Sequence, residues 1–165
     1  KILFKGRVFK CQIGKNGKVP KYKKKEGDRS TPIGKWKIQT IHVRKEEIFK
    51  LTFKKYLRKR VIYIQNNHIW CDDVSSKFYN KLVKTKNINK INYSFEKMFR
   101  NDNAYDIVIE IDHNQKPIIK NKGSAIFIHC SFDDLRPTHG CVAIRKNTLK
   151  FLINNLQKKN YIYID

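Results

Sequence analysis

A glycine directly before a cysteine, with histidines close by, is a spacing suited to thiol chemistry. Residues 126–145 read IFIHCSFDDLRPTHGCVAIR, so Cys141 follows Thr138, His139 and Gly140, and His129 stands upstream. A thiol nucleophile needs a constrained position, a nearby base and donors for the developing oxyanion. Gly140 permits a tight turn with positive φ. Such a turn aims backbone N–H groups, that of Cys141 included, at an oxyanion. Val142, Ala143 and Ile144 lead into the core and anchor the turn. An imidazole beside the thiol lowers its pKa and favours an ion pair. Cys141 is therefore the candidate nucleophile and His129 its candidate base. Thr138, His139 and Gly140 are the candidate oxyanion and positioning residues.

Other chemistries fit less well. His129, Cys130, His139 and Cys141 crowd together, but structural zinc sites favour CxxC knuckles. Neighbouring His129 and Cys130 would also point to opposite sides of a strand. No metal and no cofactor is expected. The glycine- and lysine-rich stretch 14–34 lacks the GxxxxGK[ST] spacing of a phosphate loop. The adjacent acids Asp72-Asp73 and Asp133-Asp134 read as solvated turns. Cys11, Cys71 and Cys130 read as small structural hydrophobes. Four cysteines permit two disulfides without demanding them.

The elements that must position these residues are mostly strands. Phe9, Cys11 and Ile13 alternate with polar neighbours, as a half-buried strand does. A loop is expected over 14–32. Residues 34–43 alternate again, with Trp36, Ile38 and Thr40 on one face. Residues 61–65 and 105–111 are β-branched and aromatic, which favours strands. Residues 125–129 form a short apolar run ending at His129, and 161–164 read as a terminal strand. Leu149, Leu152, Ile153 and Leu156 share one helical face, with Asn147 as its expected cap. Residues 94–100 are expected to form a second short helix. The basic stretch 44–60 spreads its apolar residues over no single face and reads as an insertion or flap. The expectation is one mainly β domain over 1–165 with one or two short α-helices.

These residues resemble the catalytic domain of the L,D-transpeptidases, the YkuD-type family. Its signature is a histidine, a loop, then [Ser/Thr]-His-Gly-Cys and an apolar residue. Here those positions are His129 and Thr138-His139-Gly140-Cys141-Val142. A second matching block is Thr31-Pro32-Ile33-Gly34-Lys35-Trp36. A third, Trp70-Cys71-Asp72-Asp73 with Tyr79-Asn80, looks like a subgroup found in many Gram-negative genomes. Residues 123–129 continue the match. Where many members carry Arg two residues after the cysteine, this chain has Ala143, and Arg145 is the nearest replacement. The resemblance implies a β-sandwich with Cys141 as nucleophile and His129 as base. It also implies Arg145, Asp72, Asp73 and Trp70 as weaker substrate-lining candidates. The implied substrate is the peptide stem of peptidoglycan, joined 3–3 through a cysteine thioester that carbapenem-type β-lactams also form. The implied location is the periplasm or cell envelope, although no export signal is visible.

Size and charge set the remaining bounds. At 165 residues the chain can bury a core without staples, and 40% hydrophobic residues exclude a disordered chain. No apolar run reaches the roughly 18 residues of a membrane-spanning helix. A net charge of +23 draws polyanions such as an anionic wall or membrane surface. The same lysines also fit the residue bias of an AT-rich genome. No specific nucleic-acid motif is present, and a monomer is expected. Three rivals stay open: an L,D-carboxypeptidase using water, an enzyme tethering a protein to the wall, and a non-catalytic basic module.

Overall fold

In a computed structural model, residues 1–4, 6–132, 134–157 and 161–165 are described. Asp133, half of one acidic pair noted above, lies outside them. Among the described residues the fold is mainly β with three short α-helices and one 3-10 turn. A hairpin of β1 (Ile2–Phe4) and β2 (Arg7–Phe9) opens the chain. β3 (Lys18–Pro20) runs parallel to the start of β4 (Thr31–Val43). The central sheet has the order β11 (Val142–Ile144), β10 (Phe127–Cys130), β9 (Ile107–Ile111), β4 and β12 (Tyr161–Ile164). β5 (Val61–Tyr63) also pairs with β4. A smaller sheet has β6 (His68–Cys71) between β7 (Lys81–Lys84) and β8 (Phe95–Lys97).

The central sheet is buried on both faces. One side holds a core of Ile38, Ile41, Ile109, Ile128 and Ile144 under the helix α3 (Lys146–Asn154). On the other side Trp70, Tyr105, Val108, Phe127 and Cys141 pack between the two sheets. Trp70 of β6 meets Phe127 of β10 edge-on at 4.8 Å. The result is a β-sandwich with a helix on its outer face.

β4 is long because both its edges find partners, and a bulge lies between Ile38 and Ile41. The extra residue reverses the alternation. Ile41 and Val43 therefore enter the core that Trp36 and Ile38 began, while Thr40 is only half-buried. The 9–13 strand reading becomes β2 followed by isolated pairing of Gln12 with Ala143 and of Gly14 with Thr138. The helix expected over 94–100 is instead β8, whose Glu96 pairs opposite Trp70. The open edge of β6 supplies hydrogen bonds that local propensity could not predict. In α3, Leu149, Leu152 and Ile153 are buried as their spacing requires, with Leu156 just beyond the helix. Asn147 does not cap it. The helix starts at Lys146 after Arg145, without a side-chain cap. Lys146 is held there by ion pairs to Asp106 and Glu47.

The basic 44–60 stretch contains α1 (Lys45–Ile48) and α2 (Lys55–Arg58). Leu51 and Leu57 reach the core from it. Glu47 is buried among Lys50, Lys146 and Lys150. Burial alone would raise its pKa, but the ammonium groups of Lys150 and Lys50 outweigh this and hold it at about 2. All four cysteines are free thiols.

Candidate active site

Cys141 enters the site at the foot of β11, and His129 lies on the neighbouring parallel strand β10. Ile128 pairs with Val142 and His129 with Ala143. Phe127 therefore stands beside Cys141, and its N–H reaches the Cys141 Sγ at 3.4 Å. His129 is two residues further along the same face of β10, roughly 6.6 Å at 3.3 Å per residue. Cys130 turns to the opposite face and into the other core. A rigid pair of hydrogen-bonded strands thus fixes thiol and imidazole relative to each other.

The turn before Cys141 is pinned from several sides. Thr138 Oγ1 donates to the Cys141 carbonyl at 2.7 Å and accepts from the Gly140 N–H at 3.2 Å. Thr31 Oγ1 donates to the same carbonyl at 3.2 Å and accepts from the Gly14 N–H. Thr31 is the first residue of β4, so the TPIGKW block secures the catalytic turn from across the sheet. Gly140 has φ 138°, and a Cβ there would lie 3.2 Å from the Ser30 carbonyl. The Gly140 N–H is thus occupied by Thr138. Among the described residues no hydrogen bond takes up the N–H groups of His139 and Cys141, which leaves these two to meet an oxyanion.

The thiol donates to the Ala125 carbonyl at 3.0 Å. Ala125 has φ 51°, a sparsely allowed conformation for a residue with a Cβ. It is held there by Asn80, whose Oδ1 accepts from both the Ala125 N–H and the Trp70 Nε1. Asn80 Nδ2 also donates to the Asn114 carbonyl at 2.8 Å. The buried Asn80 therefore ties Trp70 of the WCDD block to Ala125, two residues ahead of the strand that carries His129.

His129 is 3% exposed and Cys141 8%. The His129 Nδ1 lies 2.8 Å from the Cys130 carbonyl and donates to it in the neutral ring, so Nε2 carries the free lone pair. Tyr105 packs edge-on against the imidazole at 5.3 Å. Burial lowers the His129 pKa to about 4. Burial also pushes the Cys141 thiol up to about 12, with the charge of Glu96 adding to the effect. Burial thus works against the ion pair expected from sequence and favours the neutral thiol and imidazole, because neither charge is solvated. Such a pair transfers its proton when a substrate carbonyl is ready to receive the sulfur.

Two cavities meet at the thiol. One, of about 370 Å³, is lined by Cys141, His129, His139, Arg100, Arg136 and Glu96 among others. The other, of about 290 Å³, is lined by Cys141, His139, Glu96, Asp72, Glu26 and Lys24 among others. Cys141, His139 and Glu96 border both. His139 is exposed at this junction, and Thr138 is buried beneath it. Asp72 lines the second cavity, while Asp73 caps the turn at Ser75 instead. Trp70 is buried in the core and lines neither cavity, and Arg145 stands exposed ahead of α3. Sequence reasoning passed over Glu96, Tyr105, Arg100 and Lys24. Glu96 was assigned to a helix, and buried Lys24 looked like one more lysine of a basic loop. Its ammonium is paired with Asp28 beside the turn.

The sequence matches the family model of the L,D-transpeptidase catalytic domain, YkuD, over residues 5–164. Neither the comparison with curated proteins nor that with solved structures gave a match. The matched span holds the thiol, the imidazole, the pinned turn and both cavities, and the chain belongs to the L,D-transpeptidase catalytic domain family.

Proposed function

We propose that this chain forms a thioester with a peptidoglycan tetrapeptide stem on Cys141 and passes the acyl group to an amine, making a 3–3 cross-link in the periplasm or cell envelope. The observation that carries this reading is the placement of Cys141 at the foot of β11 and His129 on the neighbouring β10, both lining one cavity. His129 Nε2 takes the thiol proton as the sulfur attacks the carbonyl at the L-centre of the third stem residue. The N–H groups of His139 and Cys141 receive the oxyanion. The C–N bond to the fourth residue, D-alanine, breaks, and its nitrogen takes the proton back from His129. Arg100 and Arg136 give the first cavity positive charge for the carboxylates of the stem.

The test uses the purified protein with tetrapeptide stems, and with a carbapenem as a second acylating agent. The expected result is a mass adduct on the Cys141 peptide with both reagents, lost in Cys141→Ser, and 3–3 linked dimers from the stems. Shortened stems without dimers would assign the enzyme to the carboxypeptidases. No adduct on Cys141 with either reagent would end the acyl-enzyme reading.

A further inference from the structure

The basic stretch 44–60 combines unpaired charge with apolar surface left in water. It carries eight lysines and arginines against Glu46 and Glu47. Glu47 is taken up by Lys50, Lys146 and Lys150, and Glu46 by Arg44. Lys45, Lys54, Lys55, Arg58 and Lys59 are exposed and form no ion pair among the described residues. Among these cations lies an open groove of about 360 Å³, lined by Ile48, Leu51, Phe53, Arg58, Val61 and Tyr63. Phe49, next to Ile48, is 87% exposed, and Tyr63 is 52% exposed. The segment is nevertheless firmly seated. Leu51 and Leu57 enter the core, the Thr52 N–H donates to Asn154 Oδ1 at 2.8 Å, and Tyr56 Oη donates to the Leu156 carbonyl at 2.6 Å. Phe49 stays in solvent beside an anchored groove. Apolar surface of this kind marks an interaction site.

We propose that this face docks on an anionic lipid bilayer, with Lys54, Lys55, Arg58 and Lys59 at the headgroup phosphates and Phe49 entering the acyl boundary. Charge complementarity selects the partner. Clustered lysines and arginines draw a negative membrane surface, and an exposed aromatic beside them adds apolar burial at the interface. An acidic polymer would use the cations and leave Phe49 and the groove in water. A second copy would bring the same cations against each other, because a two-fold contact pairs one patch with itself.

The place of the groove in the fold suits this role. β5, which carries Val61 and Tyr63, pairs with residues 41–43 of β4 on the edge that β9 leaves free. β11, with Cys141 at its foot, ends the same sheet beyond β9 and β10. Four strand spacings, roughly 19 Å at about 4.8 Å each, separate β5 from β11. A bilayer at the β5 edge therefore leaves the cavities at Cys141 open. The docking face holds or fails independently of the acyl-enzyme reading.

Flotation with vesicles measures the docking. The vesicles are phosphatidylcholine alone, or with about 30% phosphatidylglycerol, at an ionic strength of about 0.1 M. Binding to the mixed vesicles and not to the neutral ones is expected. Lys54→Gln, Lys55→Gln, Arg58→Gln and Lys59→Gln together are expected to weaken it by more than about 100-fold, at roughly fivefold for each cation. Phe49→Ala is expected to weaken it about tenfold. Lys81, Lys84, Lys86 and Lys90 are exposed elsewhere, and changing these four to Gln removes the same charge with an expected loss below about threefold. In Phe49→Trp, spin labels on the acyl chains are expected to quench the indole at position 49, while Trp36 and Trp70 are buried out of their reach. Equal losses from the two sets of four would assign binding to the general field and overturn the proposal. So would Phe49→Ala without effect, or an unquenched indole, since either leaves a surface that uses charge alone. Vesicle-independent dimers dispersed by Phe49→Ala would give the face to a second copy and also overturn it.

Discussion

At the scale of the residue, reactivity here comes from neutrality. Burial favours the proton on the Cys141 sulfur, holding the thiol up at about 12, and the neutral form of His129, lowered to about 4. As the proposed base, His129 would be competent wherever its imidazole is neutral, above about pH 4. Carbapenem acylation is therefore expected to be flat from pH 6 to pH 8, without the rise through neutrality that an ordinary histidine base gives; stopped-flow or mass kinetics would show a step near pH 6.5 if this is wrong. His129→Ala should cost about 10²–10⁴-fold in acylation. The same burial shapes stability. His129 and His113 both sit at about 4 when folded, lowered by burial from 6.5. Below pH 6.5 the unfolded chain takes up protons that the folded chain refuses, so stability falls from about pH 6.5 to about pH 4. Glu47 adds loss only at lower pH, between its unfolded value of 4.5 and about 2. Thermal unfolding midpoints at pH 7, 5.5 and 4 check this: the drop should begin above pH 5, and a constant midpoint down to pH 4 would contradict the buried neutral histidines.

At the scale of the element, the turn is a joint between strands and not an independent motif. Its geometry depends on Thr138, Thr31 and the β4 end, on Ser30 behind Gly140, and on Asn80 behind Ala125. Gly140→Ala puts a Cβ against the Ser30 carbonyl at a φ that disfavours side chains. Acylation should fall by at least about tenfold while the protein stays folded, as far-ultraviolet circular dichroism and a carbapenem adduct assay would report. Asn80→Ala should be worse for the fold. It leaves the Trp70 indole N–H and the Ala125 N–H buried without their partner, at about 1–3 kcal/mol for each orphaned group. A denaturation curve showing less than about 1 kcal/mol of loss would mean that water replaces the amide.

At the scale of the whole molecule, the charge is divided. The protein is strongly cationic, yet the second cavity beside the thiol gathers Glu26, Asp72 and Glu96 alongside Lys24 and Arg29. A cationic surface of this kind would raise the local concentration of an acidic wall polymer. Retention on peptidoglycan sacculi should be strong at low salt and weaken steeply toward 1 M, as the Debye length shortens from about 10 Å at 0.1 M to about 3 Å. Single-stranded DNA should bind at low salt and release near 150 mM. Tight DNA binding at that salt with no retention on sacculi would favour a binding module over a wall enzyme.

The sequence by itself determined the parts that depend on local pattern. The THGC turn was legible because Gly140 before Cys141 has few other uses, and the helix face of Leu149, Leu152 and Ile153 because 3.6-residue spacing is a local property. The strand readings over 61–65, 105–111 and 161–164, found as Val61–Tyr63, Ile107–Ile111 and Tyr161–Ile164, were legible from β-branched and aromatic content. Tertiary structure decided what depends on a neighbour. Glu96 became a strand residue because β6 offered an open edge, and the β4 bulge chose Ile41 over Thr40 for the core. Ionisation was decided the same way. A histidine and a cysteine in one motif suggest an ion pair, but burial on neighbouring strands removes the solvation that both charges require and favours the neutral pair.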